Sequence, residues 1–264
     1  MTADPATSLD RRYAFLPPPR GAPTPAVVKP KIGPFQFPGP SDRVTINGMS
    51  GSGKTTFALY LFAESADFDE KPWIIIDFKA EDFNPLISEK IAQVIKIDAT
   101  LPDEPGIYLI QPDPQEPEKT EDFLWRVYRK GHIGLFVDEA ANIPEVRGER
   151  NSGGPFQSII TQGRSKIIPL YTIIQRPVNV NNSVFTENNF YCAFTLRGPE
   201  DLKKVRAHIP VHSKGYDVVW RDDLILKPHQ CRWYDQRRNE NFILNPVPDK
   251  ALDLLRARVK DRPL

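Results

Sequence analysis

After residue 40, apolar residues fall into short continuous runs separated by segments of helical periodicity. RVTIN (43–47), PWIIIDF (72–78), the run within HIGLFVDEA (about 132–138), IIPLYTIIQ (167–175) and FYCAFTL (190–196) are apolar on both faces of an extended chain. That is the signature of strands buried within a parallel sheet. A weaker strand falls near 107–110. Residues 55–64 predict a helix. TEDFLWRVYRK (120–130) places Phe123, Leu124, Val127 and Tyr128 at helical spacing, with Thr120 as its cap. PFQSIITQGRS (155–165) predicts another helix. Strand–helix alternation with short connections predicts an α/β fold, a mostly parallel sheet covered on both faces. YDVVWRDDLILKPHQCRWYD (216–235) breaks the alternation and reads as antiparallel hairpins, followed by a helix near 248–260. The expected organisation is one domain over 41–264, with a core at about 42–200 and a C-terminal extension at about 213–264.

Residues 1–40 are different. They hold ten of the 27 prolines, including Pro17, Pro18 and Pro19, and predict an extended or polyproline-like arm. Tyr13, Phe15, Phe35 and Phe37 give this arm apolar anchors, which suits a strap on a neighbouring subunit as well as a solvated tail. No stretch reaches the roughly 18 to 20 apolar residues of a membrane span, and the first residues lack the apolar segment of a secretory signal. Cys192 and Cys231 match no metal spacing and suggest no disulfide framework. A reducing cytoplasm is therefore the expected compartment. The formal net charge is +1, but its distribution is uneven. Residues 98–122 carry eight Asp/Glu against Lys119 alone, whereas 197–238 carry ten Lys/Arg against six Asp/Glu. One surface is thus suited to a polyanion, or both are ordinary solvated faces.

The chemistry begins with GMSGSGKTT (48–56), a Gly-x-x-x-x-Gly-Lys-Thr pattern placed after a strand and before a helix. Gly48, Gly51 and Gly53 permit close backbone approach. Amides around Ser50, Ser52 and Thr56 face phosphates at a helix N-terminus. Lys54 is expected to reach the β- and γ-phosphates, and Thr55 to offer its hydroxyl to Mg²⁺. LFVDEA then carries Asp138 to the carboxyl end of a strand, where it can support the metal, and Glu139 beside it can polarise an attacking water. Asp-Glu at this point favours an ATP-hydrolysing enzyme over a switch GTPase. In YTIIQRP (171–177), Gln175 follows an apolar strand and can contact the γ-phosphate or the water.

The ordered set GMSGSGKTT, IIIDFKAED, LFVDEA and YTIIQRP resembles the HerA/FtsK superfamily of hexameric DNA-pumping ATPases, over approximately residues 42–200. It looks most like the genome-packaging ATPases of tailless icosahedral viruses with an internal membrane, the tectivirus type; the chain lacks the membrane segments and extra domains of chromosome translocases. The resemblance implies a three-layer P-loop NTPase core of RecA/FtsK type, with ATP and Mg²⁺ as ligands. It further implies a homo-hexamer moving double-stranded DNA into a preformed capsid, and a place in the host cytoplasm and at the packaging vertex of the virion. It also assigns Arg164, in QGRSKIIPLYTIIQ, as a finger acting on a neighbour's site, with Arg176 and Arg197 as rivals. VRGERNSGGP (146–155) supplies Arg147 and Arg150 on a glycine-rich loop, candidates for DNA phosphates in a central pore. The arm at 1–40 is then a docking strap for a neighbour or for capsid portal proteins. A cellular HerA-like translocase, and a nucleotide-gated assembly or secretion ATPase that does not act on DNA, stay open as alternatives. His208 and His212, with Pro210 between them, read as structural.

Overall fold

A computed structural model describes residues 35–147 and 153–259. Among the described residues, nine strands form a single sheet in the order β3-β4-β2-β5-β6-β1-β7-β8-β9. They are β1 (Arg43–Asn47), β2 (Pro72–Asp77), β3 (Gln93–Val94), β4 (Gly106–Ile110), β5 (Gly134–Asp138), β6 (Leu170–Ile174), β7 (Phe190–Ala193), β8 (Cys231–Asp235) and β9 (Glu240–Leu244). The first seven run parallel, and the β8–β9 hairpin joins β7 antiparallel. All five residues of β1, β5 and β6 are buried, as continuous apolar strands between two helical layers must be.

Alternation within the strands builds a core on each face. Ile74, Ile76, Leu135, Val137 and Ala193 pack beneath α3 (Pro117–Lys130) and α4 (Pro155–Gln162). Trp73, Ile75, Phe136, Tyr171 and Trp233 pack beneath α1 (Lys54–Ser65) and α8 (Ala251–Val259). Trp73 faces Gly134 across the β2–β5 ladder, and a Cβ on Gly134 would come within 2.1 Å of the indole. Gly134 is required there by volume, not by backbone angle. The smaller helices are α2 (Asn84–Ser88), α5 (Ser183–Thr186), α6 (Pro199–Arg206) and α7 (Tyr216–Val219).

Several boundaries differ from the sequence reading. Helix α3 starts at Pro117, three residues before Thr120, because proline at the first helical position loses no hydrogen bond; Thr120 is buried within the helix. Strand β6 starts at Leu170 because Ile167 is left-handed (φ 55°) and Pro169 follows. Residues 216–230 contain no strand. Tyr216, Val219 and Trp220 are buried at the i, i+3, i+4 spacing of helix α7, which Gly215 (φ 78°) begins. Only 231–244 form the hairpin, and it extends the main sheet. Phe35 packs against Trp233 and Phe242 and so serves the chain's own core, while Phe37 lies against Tyr60 and stays exposed. Tyr13 and Phe15 lie outside the described residues. Among the described residues no helix is long and apolar enough to cross a membrane.

Candidate active site

Four parallel pairings bring the carboxyl ends of β1, β2, β5, β6 and β7 to one edge of the sheet, where ligands of such folds bind. The loop Gly48–Gly53 leaves β1 at this edge. The Gly48 amide donates to the Ile174 carbonyl (3.2 Å) and the Met49 amide to the Thr195 carbonyl (3.0 Å), which fixes the loop between β6 and β7. Gly51 and Gly53 have φ of 74° and 93°, the left-handed region in which a side chain is strained. Gly48 is needed for a different reason, since a Cβ there would meet that of Phe194 at 2.6 Å. Gly53 then opens α1, and Lys54 at its first turn is only 4% exposed.

The loop floors a cleft of about 610 Å³. Ser50, Gly51, Gly53, Lys54, Thr55 and Thr56 line it from below, and Gln175 enters it from the end of β6. Burial lowers the pKa of Lys54, and the nearby Lys79 ammonium lowers it further. Lys54 and Lys79 supply the cations that a polyanion would meet in a cleft also lined by Glu81, Asp82 and Asp249.

Asp138 and Glu139 stand at the end of β5. Asp138 is fully buried and neither carboxylate oxygen has a hydrogen-bond partner. Burial pushes its pKa up to about 6, against the pull of Lys79. A buried carboxylate with no hydrogen-bond partner at the end of β5 suits a divalent ion that takes its other ligands from phosphate and water. Glu139 has φ 51° and ψ 48°, which turns the chain sharply off the strand at a cost on the order of 1 kcal/mol.

Lys79 is a site residue that the sequence reading left inside a motif string. Asp77 pairs with Asp138 in the β2–β5 register, and its Oδ1 accepts the amides of Lys79 and Ala80 (both 3.1 Å). That turn carries the Lys79 ammonium to 3.2 Å from Glu139, 3.8 Å from Asp138 and 3.6 Å from Asp82. Burial acts to lower the pKa of Lys79, but the attraction of Asp138 and Glu139 outweighs it and holds the ammonium above its ordinary value.

The remaining candidates lie outside this cleft. Arg164 is exposed in a turn at Gly163–Lys166, ahead of β6 and so at the opposite edge of the sheet from the glycine loop. Arg176 bonds Asp201 at 3.0 Å, and Arg197 is exposed between β7 and α6. Arg147 is exposed at the last described position before 148–152, and Arg150 lies outside the described residues. The Glu145 carboxylate accepts the Gln157 amide (3.1 Å) at the start of α4, which ties together the two flanks of that loop. His208 stacks on Phe185 with ring centroids 5.1 Å apart and does not face the cleft.

No family model matches the chain. Over 217 residues it is 31% identical to the DNA packaging ATPase P9 of Enterobacteria phage PRD1, covering 81% of this chain and 91% of that protein. The chain belongs to the DNA packaging ATPase family. Among solved structures, the genome packaging NTPase B204 of Sulfolobus turreted icosahedral virus 2 in complex with sulfate superposes with a TM-score of 0.62 at 17% identity. That match covers 80% of this chain and 99% of B204. The same NTPase in complex with AMPPCP gives 0.62 at 17% identity, covering 79% and 100%. ATPases 2 and 3 of EssC from Geobacillus thermodenitrificans give 0.50 at 12% identity, covering 84% of this chain and 43% of EssC. These likenesses establish the P-loop NTPase fold.

Proposed function

We propose that this packaging ATPase is a ring-forming motor that couples Mg²⁺-dependent ATP hydrolysis to moving double-stranded DNA into a preformed capsid. The observation that carries the reading is the convergence of Lys54, Lys79 and Gln175 on one cleft, with Lys79 paired to Asp138 and Glu139 behind it, in a chain of this family. The loop amides and Lys54 bind the phosphates. Thr55 and Asp138 would hold Mg²⁺, which supplies charge neutralisation on the phosphates when bound. Glu139 takes a proton from the attacking water, oriented by Lys79, and Gln175 reports the γ-phosphate. Arg164, being remote from its own chain's cleft, serves a neighbour's; a finger of this kind is worth about 10³ to 10⁵ in rate. That requirement makes the active unit an oligomer, read here as a homo-hexamer.

Arg147 and Arg150 bind DNA phosphates without reading sequence, as a packaging motor needs. Residues 1–40 reach a neighbouring subunit or a capsid portal protein. The site of action is the host cytoplasm and the packaging vertex of the virion. ATPase rate with and without long duplex DNA tests the reading. DNA is expected to stimulate hydrolysis, and replacing both Arg147 and Arg150 by alanine to remove that stimulation while sparing the basal rate. A wild-type rate indifferent to DNA would remove the DNA motor and leave an ATPase of another kind.

A further inference from the structure

The wall of the cleft furthest in the sheet from Asp138 is made by the C-terminal part of the chain. Because β8 runs antiparallel to β7, β8 begins and β9 ends at the edge where the glycine loop sits; Cys231 pairs with Leu244 at that edge. The residues just before β8 and just after β9, His229 and Pro246–Val247, therefore border the cleft.

His229 is placed there at a cost. Gln230 donates its amide to the Lys227 carbonyl (3.0 Å), closing a turn with Pro228 second and His229 third. His229 has φ 59°. Pro followed by a positive φ is the pattern of a type II turn, whose third position glycine fills without strain. An imidazole stands where glycine would be the relaxed choice. Its ring lies directly against the glycine loop, with Nδ1 3.2 Å from the Ser52 carbonyl and 2.8 Å from where a Cβ of Gly53 would stand. The turn is also fastened to the segment after β9: the Gln230 side chain bonds the Lys227 amide (2.9 Å) and the Asn245 side chain (3.0 Å). The arrangement is a planar ring and an apolar strip held together beside a phosphate-binding loop. Phosphates alone require neither.

We infer that His229, Pro246 and Val247 form the nucleoside subsite of the cleft, with the His229 ring as the surface on which the base stacks. This rests on the ATPase reading above. Stacking reads a π-face and not a hydrogen-bonding edge, so the subsite favours a purine without separating adenine from guanine. The test compares ATP with inorganic tripolyphosphate, which carries the phosphates but no nucleoside. Binding of each to the wild type, His229→Ala and His229→Phe is measured by isothermal titration calorimetry in Mg²⁺ buffer. His229→Ala is expected to weaken ATP and GTP about tenfold or more, the loss of one stacking contact, and to leave tripolyphosphate within about twofold. His229→Phe is expected to restore ATP affinity. Parallel weakening of ATP and tripolyphosphate in His229→Ala would mean that the imidazole only shapes the loop through Ser52, and would overturn the subsite. Unchanged ATP affinity would overturn it as well. If the wild type binds neither ATP nor tripolyphosphate, it is the ATPase reading that fails.

Discussion

The Lys79 ammonium lies 3.2 Å from the Glu139 carboxylate, and it is delivered there by a turn that the buried Asp77 closes with two backbone hydrogen bonds. Asp77 and Asp138 are register partners on adjacent strands, so the cation and the pair of carboxylates are aligned by the sheet itself. Replacing Lys79 by Met is expected to lower kcat about 10- to 100-fold, because Glu139 loses the partner that orients it. ATP affinity, measured with a fluorescent analogue, should change less than about threefold. Lys79→Arg should recover part of kcat; equal activity in Lys79→Met and wild type would remove Lys79 from the mechanism.

Glu139→Gln keeps the shape of the side chain and removes its basicity. Hydrolysis should fall by about 10² to 10⁴, the span assigned to general-base catalysis. Bound ATP should persist on the protein over many wild-type turnover times, as read by rapid filtration. Normal single-turnover hydrolysis by this variant would assign proton transfer elsewhere.

Asp138 links chemistry to stability. Burial raises it from 3.8 to about 6. Between these pH values the folded chain holds a proton that the unfolded chain has released, so stability declines as pH rises through that window and stays low above it. Asp138→Asn should therefore stabilise the nucleotide-free protein at pH 7, by up to about 3 kcal/mol, and raise Tm by several degrees. Below about pH 4, where the carboxyl is neutral in both states, the gain should vanish. Thermal denaturation across pH checks both limits, and activity should be lost at every pH.

Gly134→Ala tests the packing between β2 and β5. The new methyl carbon would come within 2.1 Å of the Trp73 indole. Movement of either strand displaces Asp77 or Asp138 as well. A loss of about 2 kcal/mol or more is expected in urea unfolding, together with reduced hydrolysis. Wild-type stability would show that Trp73 can turn aside.

Much of this site was legible because its residues lie in short contiguous strings. LFVDEA and YTIIQRP place a reactive residue at or directly after a strand end, GMSGSGKTT places Lys54 one loop beyond β1, and the sheet brings such strand ends together. Lys79 was visible as a letter in IIIDFKAED but not as a partner of Glu139, since that contact depends on the β2–β5 register and the Asp77 turn. His229 was less visible still. It lies in RDDLILKPHQ, where apolar and polar residues follow no period, and its neighbour Ser52 is 177 positions away. The hairpins expected over 216–235 failed in their first part for a related reason: over five residues, the i, i+3, i+4 set at 216–220 is easily taken for alternation. Long-range register and turn geometry, not residue type, decide such cases.

The Ser52–His229 contact also bears on the order in which a subunit matures. The glycine loop emerges early in synthesis, yet its cleft lacks a wall until the β8–β9 hairpin has paired with β7 and Pro246–Val247 has come to rest. Contacts this distant in sequence form late in folding. ATP held at 100 times its Kd adds about 2.7 kcal/mol to any state that binds it and nothing to one that does not. With the nucleoside subsite inferred above, that increment is largest for chains whose C-terminal segment has already been seated. By mass action, nucleotide then favours subunits whose C-terminal segment is in place.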